Sequence, residues 1–178
     1  AGIMVDGEFF PIKTDFRQWL GFSSLLENEN SKLYEADYLY VDKKPTDRKK
    51  GLEQLLDFYN PKHILPRPSG NETYEKVLDY FIDADLIYSA FMEVYHIDLL
   101  QTDSKGKIKE LHWHKFLALL NGLHGTKLND VMGYRCYNPN DKTEYKEQML
   151  QLKRQWQLPT KQTEEAEKAL EDFNKLFE

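Results

Sequence analysis

Apolar residues along most of this chain recur at intervals of three and four positions, the spacing that gathers them on one face of an α-helix. Residues 34–41 also suit a short helix, although their aromatic and β-branched side chains would allow a strand as well. Together with two stretches near the C-terminus, the pattern predicts a mainly α fold with about six or seven helices in a bundle. The clearest internal stripes lie in residues 16–26, 52–59, 86–95, 113–123 and 128–132.

Short polar side chains stand directly before several of these stripes. The candidates are Thr14-Asp15, Thr46-Asp47 and Thr126, whose side chains are able to accept a hydrogen bond from the free N–H groups of a first helical turn. Asp83 and Asp85 stand at the start of another stripe, where carboxylates are favoured by the positive end of the helix dipole. We therefore expect all of these residues to mark helix starts, Asp83 and Asp85 by capping.

The first residues follow a different pattern. The dipeptide Asp6-Gly7 separates two apolar runs, which is a strong signal for a two-residue hairpin turn. We predict strands at residues 2–5 and 8–12, which form an N-terminal β-hairpin over residues 2–12. An isolated hairpin is marginal in water, so one face should lie on the helical body. Its free edge offers a place for self-association or for a partner strand.

The middle of the chain combines two strong helical stripes with one interruption. We expect the helices around Phe91 and Trp113 to pack together and to bury both rings. Residues 60–72 interrupt the helical pattern with three prolines and a glycine, which predicts a mobile, Pro-rich surface loop. The sequence on either side of this loop is long enough for only about one small hydrophobic core. We therefore expect a single domain over residues 1–178.

The last third of the chain is charged and helical in pattern. One narrow apolar seam follows i, i+4, i+7 and i+11 spacing from Tyr145 to Trp156, which suits one partner helix. A second stripe starts after Pro159, so we predict a C-terminal helical hairpin over residues 141–178. The candidate partner-binding residues are large apolar members of these two stripes: Tyr145, Met149, Leu152, Trp156, Phe173, Leu176 and Phe177.

Composition narrows the classes of partner. The chain carries 30 acidic and 24 basic residues, a formal net charge of −6. Such a field does not attract nucleic acid or an anionic membrane, so we expect neither as a partner. Every apolar run is far shorter than the roughly 20 residues of a membrane-spanning helix. The single cysteine, Cys136, excludes a disulfide framework and fits a reducing compartment.

No residue pattern predicts a catalytic, cofactor-binding or metal-binding site. The only close histidine pair is His112 and His114, and a spacing of two turns side chains about 200° apart on a helix, so both should not face one metal ion. Asp83 and Asp85 could hold a metal as in a nuclease, but the second acidic cluster and lysine of such a site have no recognisable spacing here. We expect a protein that is not an enzyme and needs no cofactor.

Five phrases between residues 12 and 135 carry a family resemblance that covers roughly residues 5–170. They are Ile12-Lys-Thr-Asp-Phe-Arg-Gln-Trp19, Asp83-Ala-Asp-Leu-Ile-Tyr-Ser-Ala-Phe91, Tyr95-His-Ile-Asp-Leu99, His112-Trp-His-Lys-Phe-Leu-Ala-Leu-Leu120 and Val131-Met-Gly-Tyr-Arg135. In order and spacing, these phrases resemble the gene-product-fifteen family of tailed phages and prophages. The chain departs from the family at His96, where glycine is expected, and at His114, where a second tryptophan is usual. Residues 102–109 also lengthen a connection that is expected to be short.

The resemblance implies a place for the gene in a phage genome rather than a particular chemical activity. Genes of this family look to lie between those of the major tail protein and the tape-measure protein, where tail assembly chaperones are encoded. It therefore implies a chaperone in the bacterial host cytoplasm that binds the tape-measure protein, or other tail proteins, before the tail tube polymerises. A structural component of the tail or neck is the alternative, and a metal-dependent nuclease is the least expected.

Overall fold

The computed structural model describes residues 1–60, 76–140 and 144–159. Within these ranges the predicted mainly α fold with an N-terminal hairpin is confirmed. The backbone divides into a first unit, residues 1–70 with 100–121, and a second unit, residues 71–99 with 122–178. No helix in the described ranges is long and apolar enough to cross a membrane. The elements are β1 (Gly2–Val5), β2 (Glu8–Pro11), α1 (Phe16–Glu27), a 3-10 helix (Leu33–Leu39), α2 (Arg48–Tyr59), α3 (Ala84–Tyr95), α4 (Trp113–Asn121), α5 (Lys127–Cys136) and α6 (Lys146–Trp156).

The hairpin of the first unit is formed by the predicted turn. Asp6 and Gly7 have φ angles of 50° and 83°, the positive values that a two-residue turn between twisted strands requires. Ile3 lies opposite Phe10 in the antiparallel register, and both side chains are buried. One face of the hairpin therefore belongs to the core, as predicted.

The start of α1 is joined to the segment that precedes α4. The Asp15 carboxylate accepts a hydrogen bond from the Arg17 N–H at 3.1 Å, which confirms the predicted cap. It also accepts one from the Leu111 N–H at 2.9 Å. Helix α4 packs on α1, and the rings of Phe16 and Phe116 stack with centroids 4.4 Å apart. One buried carboxylate thus fixes the register between two helices.

The two tryptophans of the first unit are buried with their polar atoms satisfied. The Trp113 indole N–H donates to the Tyr59 carbonyl at 2.8 Å, and the Trp113 and Tyr59 rings stack. The Trp19 indole N–H donates to the Lys13 carbonyl at 3.0 Å. Buried tryptophans are stable only where such a partner is present, so these bonds fix α1, α2 and α4 around one aromatic core.

Residues 34–41, where the sequence allowed a helix or a strand, contain a short helix followed by a strand-like bridge. Residues 33–39 form a 3-10 helix, and Tyr40 then pairs with Ile12 in an isolated antiparallel bridge. Helix α2 begins at the predicted cap Asp47, whose carboxylate accepts from two backbone N–H groups. Gly51 is buried on α2, and a Cβ at this position would stand only 2.7 Å from the ring of Pro45.

The second unit contains α3, α5 and α6, with α3 and α6 each packed against α5. Thr126 caps α5 as predicted, in a reciprocal capping box with Asn129. Helix α3 ends at His96, which adopts the left-handed conformation with φ of 52°. The following Ile97 N–H returns to the Phe91 carbonyl at 3.3 Å, a bond typical of this kind of helix end.

The two central helices that carry Phe91 and Trp113 lie in different units, so their predicted packing against each other stays a prediction. Helix α3 packs on α5 in the second unit, and α4 packs on α1 in the first. Both rings are buried, as predicted. Helical stripes give the buried face of each helix, but they do not identify the helix that covers it. Residues 61–72 of the predicted loop, and the second helix of the predicted C-terminal hairpin, lie outside the described residues.

Candidate partner-binding face

Helix α6 places the first four candidate residues on one side. Tyr145, at the N-terminal end of α6, is 65% exposed, whereas Met149, Leu152 and Trp156 are half-buried. None of the residues of α6 is buried, whereas each of the other five α-helices in the described ranges has buried residues. The apolar seam predicted from the sequence is therefore present and only partly covered. The remaining candidates, Phe173, Leu176 and Phe177, lie outside the described residues.

Among the described helices, α5 packs against α6. The Lys127 ammonium lies 5.5 Å from the centre of the Trp156 ring, a distance at which a cation and an aromatic face attract. The Lys153 ammonium donates to the Tyr137 carbonyl at 3.1 Å, beside the end of α5. These contacts attach α6 to α5, and the residues of the apolar seam remain partly exposed.

A buried ion pair fixes the end of α6 in place. The Arg135 guanidinium forms two parallel hydrogen bonds to the Asp83 carboxylate, at 2.7 and 2.8 Å. Its Nε donates to the Trp156 carbonyl at 2.7 Å, and a further N–H donates to the Val77 carbonyl at 2.9 Å. The Asp83 side chain is 2% exposed and that of Arg135 is 6% exposed. One guanidinium thus joins the start of α3, the end of α5 and the end of α6.

The predicted role of Asp83 is wrong. Asp83 precedes α3 as expected, but its side chain makes no capping bond to that helix. It accepts instead from Arg135 and from the Asp79 N–H at 2.9 Å. Asp83 binds the distant Arg135 and does not cap α3, because a buried carboxylate is stabilised far more by a guanidinium than by one exposed N–H group. Asp85 lies exposed in the first turn of α3.

Sequence reasoning missed Arg135 as an organising residue. Leu128, Val131 and Arg135 occupy one stripe of α5, and all three are buried. A charged residue on an apolar stripe is a signal for a buried partner of opposite charge, since an isolated buried charge is very costly. The signal could have been found, but it does not indicate which of the many carboxylates is the partner.

A turn that leads into α3 is held by another carboxylate. Asp79 accepts from the Phe81 and Ile82 N–H groups at 2.9 and 3.0 Å and from the Lys76 ammonium at 2.9 Å. Partial burial opposes ionisation, but these donors outweigh it and lower the pKa of Asp79 below its ordinary value. The ionised form of Asp79 therefore supports the backbone segment that meets Arg135.

The histidine pair lies in the first unit and has a structural role. The argument from helical rotation is wrong, because His112 precedes α4 and the two imidazole centres are 5.3 Å apart. His112 Nδ1 accepts from the His114 N–H at 3.2 Å, and His114 Nε2 lies 2.6 Å from the Phe58 carbonyl oxygen. Burial, together with the charge of His114, lowers the pKa of His112. Among the described residues, no group of three or more His, Cys, Asp or Glu side chains could hold a metal ion.

Three basic side chains just before α2 and in its first turn bind carboxylates. Lys44 and Arg48 both bind the Asp37 carboxylate, and Lys50 binds Asp6 at 2.6 Å. Burial acts against ionisation of Asp37, but the two cations prevail and lower its pKa. These three side chains are thus ion-paired within the chain.

Comparison with known proteins agrees with the phrases seen in the sequence. The profile of one family, described as "Bacteriophage Gp15 protein", matches residues 2–158. No curated protein and no solved structure matches the chain significantly. Because the family match spans most of the 178 residues, the chain belongs to the bacteriophage Gp15 family and is a phage protein.

Proposed function

We propose that this phage protein is a tail assembly chaperone that binds the tape-measure protein before the tail tube polymerises. In this proposal it acts in the host cytoplasm, without catalysis, by covering apolar helical surface of its partner. The family resemblance supports the proposal, since it implies a gene next to that of the tape-measure protein.

The observation that carries the proposal is the half-covered seam of α6. Tyr145, Met149, Leu152 and Trp156 offer apolar contacts over about 16 Å of helix, at 1.5 Å per residue. A row of this spacing is typical of a helix that packs its apolar side against one other helix. The resemblance implies that the tape-measure protein is a long helical chain, which would present such a helix repeatedly.

The test is co-expression with tape-measure fragments from the same phage genome, followed by size-exclusion chromatography with light scattering. We expect a soluble complex of defined mass. Tyr145→Asp should weaken the complex, because a carboxylate would then face the apolar partner at an exposed position. Gln151→Asp is the matched control, since Gln151 is exposed on α6 outside the seam and the added charge is the same.

Two results would contradict the proposal. One is that fragments covering the whole tape-measure protein stay insoluble and unbound at micromolar concentration. The other is that Tyr145→Asp and Gln151→Asp affect the complex equally, which would place the contact away from the seam. Mass spectrometry of purified virions separates the structural alternative, since a tail or neck component would be retained there at ring-like stoichiometry.

A further inference from the structure

The sheet of the first unit has an exposed side that is apolar. Met4 lies opposite Phe9 in the hairpin register, and each side chain is 51% exposed. Pro11 shares their side of the sheet, because alternate residues of a strand project to the same face. Val41 lies beside Pro11, to whose carbonyl its N–H donates at 3.1 Å, and its side chain is 53% exposed. We call Met4, Phe9, Pro11 and Val41 the outer face.

The other face of the same sheet is already buried. Antiparallel sheets in water commonly have one apolar face on the core and one polar face towards solvent, whereas all four members of the outer face are apolar. The Phe9 ring also lies across Gly2, where an added Cβ would stand only 2.3 Å from the ring. A sheet that is apolar on both sides is typical of one that is covered on both sides. The buried residues of the inner face are Ile3, Val5, Phe10, Ile12 and Tyr40.

The area of the outer face limits the strength of any association through it. Met4, Phe9 and Val41, each about half exposed, leave apolar surface on the order of 300 Å², comparable with the largest patch on a typical monomer. A stable interface buries about 800 Å² on each partner. Contact through the outer face alone therefore supports a weak and reversible complex.

Charge along the hairpin favours a second copy of the chain as the partner. Copies with a net charge of −6 repel one another, and a neutral face lets them meet without burying charge. The turn carries the exposed Asp6, and Lys13 follows the opposite end of β2. A two-fold axis perpendicular to the strands places the acidic end of one outer face over the basic end of the other, whereas an axis along the strands places Asp6 over Asp6. The outer face is thus complementary to itself in one orientation.

We propose that the outer face joins two copies of this chain in a dimer whose two-fold axis is perpendicular to the strands. The two sheets stack face to face at the usual separation of about 10 Å, with the exposed side chains of both copies between them. The contact uses a face of the sheet and not its strand edge, and it includes no residue of α6. It therefore does not rest on the function proposed above.

Sedimentation velocity of the full chain, from micromolar to submillimolar concentration, measures the dimer directly. Phe9→Thr should raise the dissociation constant of the dimer at least about tenfold, because the two-fold axis removes the ring twice. Val41→Thr should act in the same direction with an almost unchanged side-chain shape at an exposed position. Leu33→Thr is the matched control, since Leu33 is 50% exposed in the first unit and lies on the 3-10 helix, outside the outer face.

Carbodiimide coupling tests the orientation of the two copies, because it joins a carboxylate to an amine only where the two groups are in contact. Within one chain the Asp6 carboxylate lies 2.6 Å from the Lys50 ammonium, so an Asp6–Lys50 link is the internal control. Asp6 and Lys13 are separated in one chain by the length of β2, about 16 Å, so a link between them has to join two chains. A mixture of unlabelled and isotope-labelled chains should give this link as a mixed-label product in mass spectrometry.

The two experiments give clear outcomes. A dimer that Phe9→Thr and Val41→Thr weaken and Leu33→Thr leaves unchanged, together with the Asp6–Lys13 link, would support the proposal. A chain that stays monomeric throughout, or a dimer that all three substitutions affect alike, would overturn it. A dimer that gives the Asp6–Lys50 link without the Asp6–Lys13 link would refute the two-fold orientation. The tape-measure protein takes part in neither experiment, so failure of the proposed function would leave both results unchanged.

Discussion

Removal of one partner from the Asp83–Arg135 ion pair should be among the most damaging single changes in the second unit. Both side chains are almost fully excluded from water, so neither charge would be solvated if left alone. Arg135→Met deletes four hydrogen bonds and leaves Asp83 with only the Asp79 N–H among the bonds described above. Breaking a buried pair in this way costs about 3–5 kcal/mol.

The size of this loss makes it measurable by thermal or urea unfolding. For a chain of this length, each kcal/mol shifts Tm by about 2–4 °C, so Arg135→Met should lower Tm by about 6–20 °C. Arg135→Lys should recover little, because an ammonium cannot form the two parallel bonds of the guanidinium. Hydrogen exchange followed by mass spectrometry localises the effect, with protection lost in α3, α5 and α6 and retained in α1.

A double substitution provides the refuting measurement. Asp83→Leu combined with Arg135→Met removes both charges, so it should cost clearly less than the sum of the single changes. Additive losses, or a change below about 1 kcal/mol for Arg135→Met alone, would show that the pair is not the buried, coupled unit described here.

Smaller changes test single positions. Gly51→Ala should lower Tm, because its Cβ would meet the Pro45 ring, whereas Gly133→Ala, with open space around it, should stabilise α5 by up to about 1 kcal/mol. His96→Gly should raise Tm by relieving the left-handed conformation, worth about 1 kcal/mol, and His96→Ala should not. The lowered folded-state pKa of His112 means that the unfolded chain binds the proton more readily, so stability should fall as pH drops below about 6.5. His112→Asn keeps a capping acceptor and should reduce the difference between urea midpoints at about pH 7.5 and 5.5.

Local signals in the sequence predicted the starts of helices well. Asp15, Asp47 and Thr126 cap helices as expected, because each cap needs only backbone groups two or three residues away. The partner of Asp83 lies 52 residues along the chain, and no local pattern encodes such a distance. Periodicity has the same limit, since it describes one helix at a time and predicts its buried face but not the helix that covers it.

The backbone conformation at His96 gives a physical reason for the glycine that the family resemblance leads us to expect there. Position 96 has φ of 52°, a conformation that costs an ordinary residue about 1–2 kcal/mol and glycine almost nothing. The glycine that the resemblance leads us to expect there is therefore a requirement of the helix end, and this chain tolerates histidine at some cost. A backbone reason of this kind says nothing about binding, so His96 is not counted among the candidate functional residues.

The buried Asp83–Arg135 ion pair should also affect binding at the proposed partner face. Arg135 holds the carbonyl of Trp156, the last residue of α6, yet neither Arg135 nor Asp83 lies on the seam. Asp83→Asn should therefore weaken partner binding together with the stability of the second unit, as it loosens the anchor of α6. Tyr145→Ala should weaken binding alone, because that side chain is mostly exposed. Calorimetric titration with a tape-measure fragment, beside urea unfolding of each variant, separates the two effects. If Asp83→Asn destabilised the unit but left binding unchanged, the position of α6 would not depend on the ion pair and the partner contact would have to lie elsewhere.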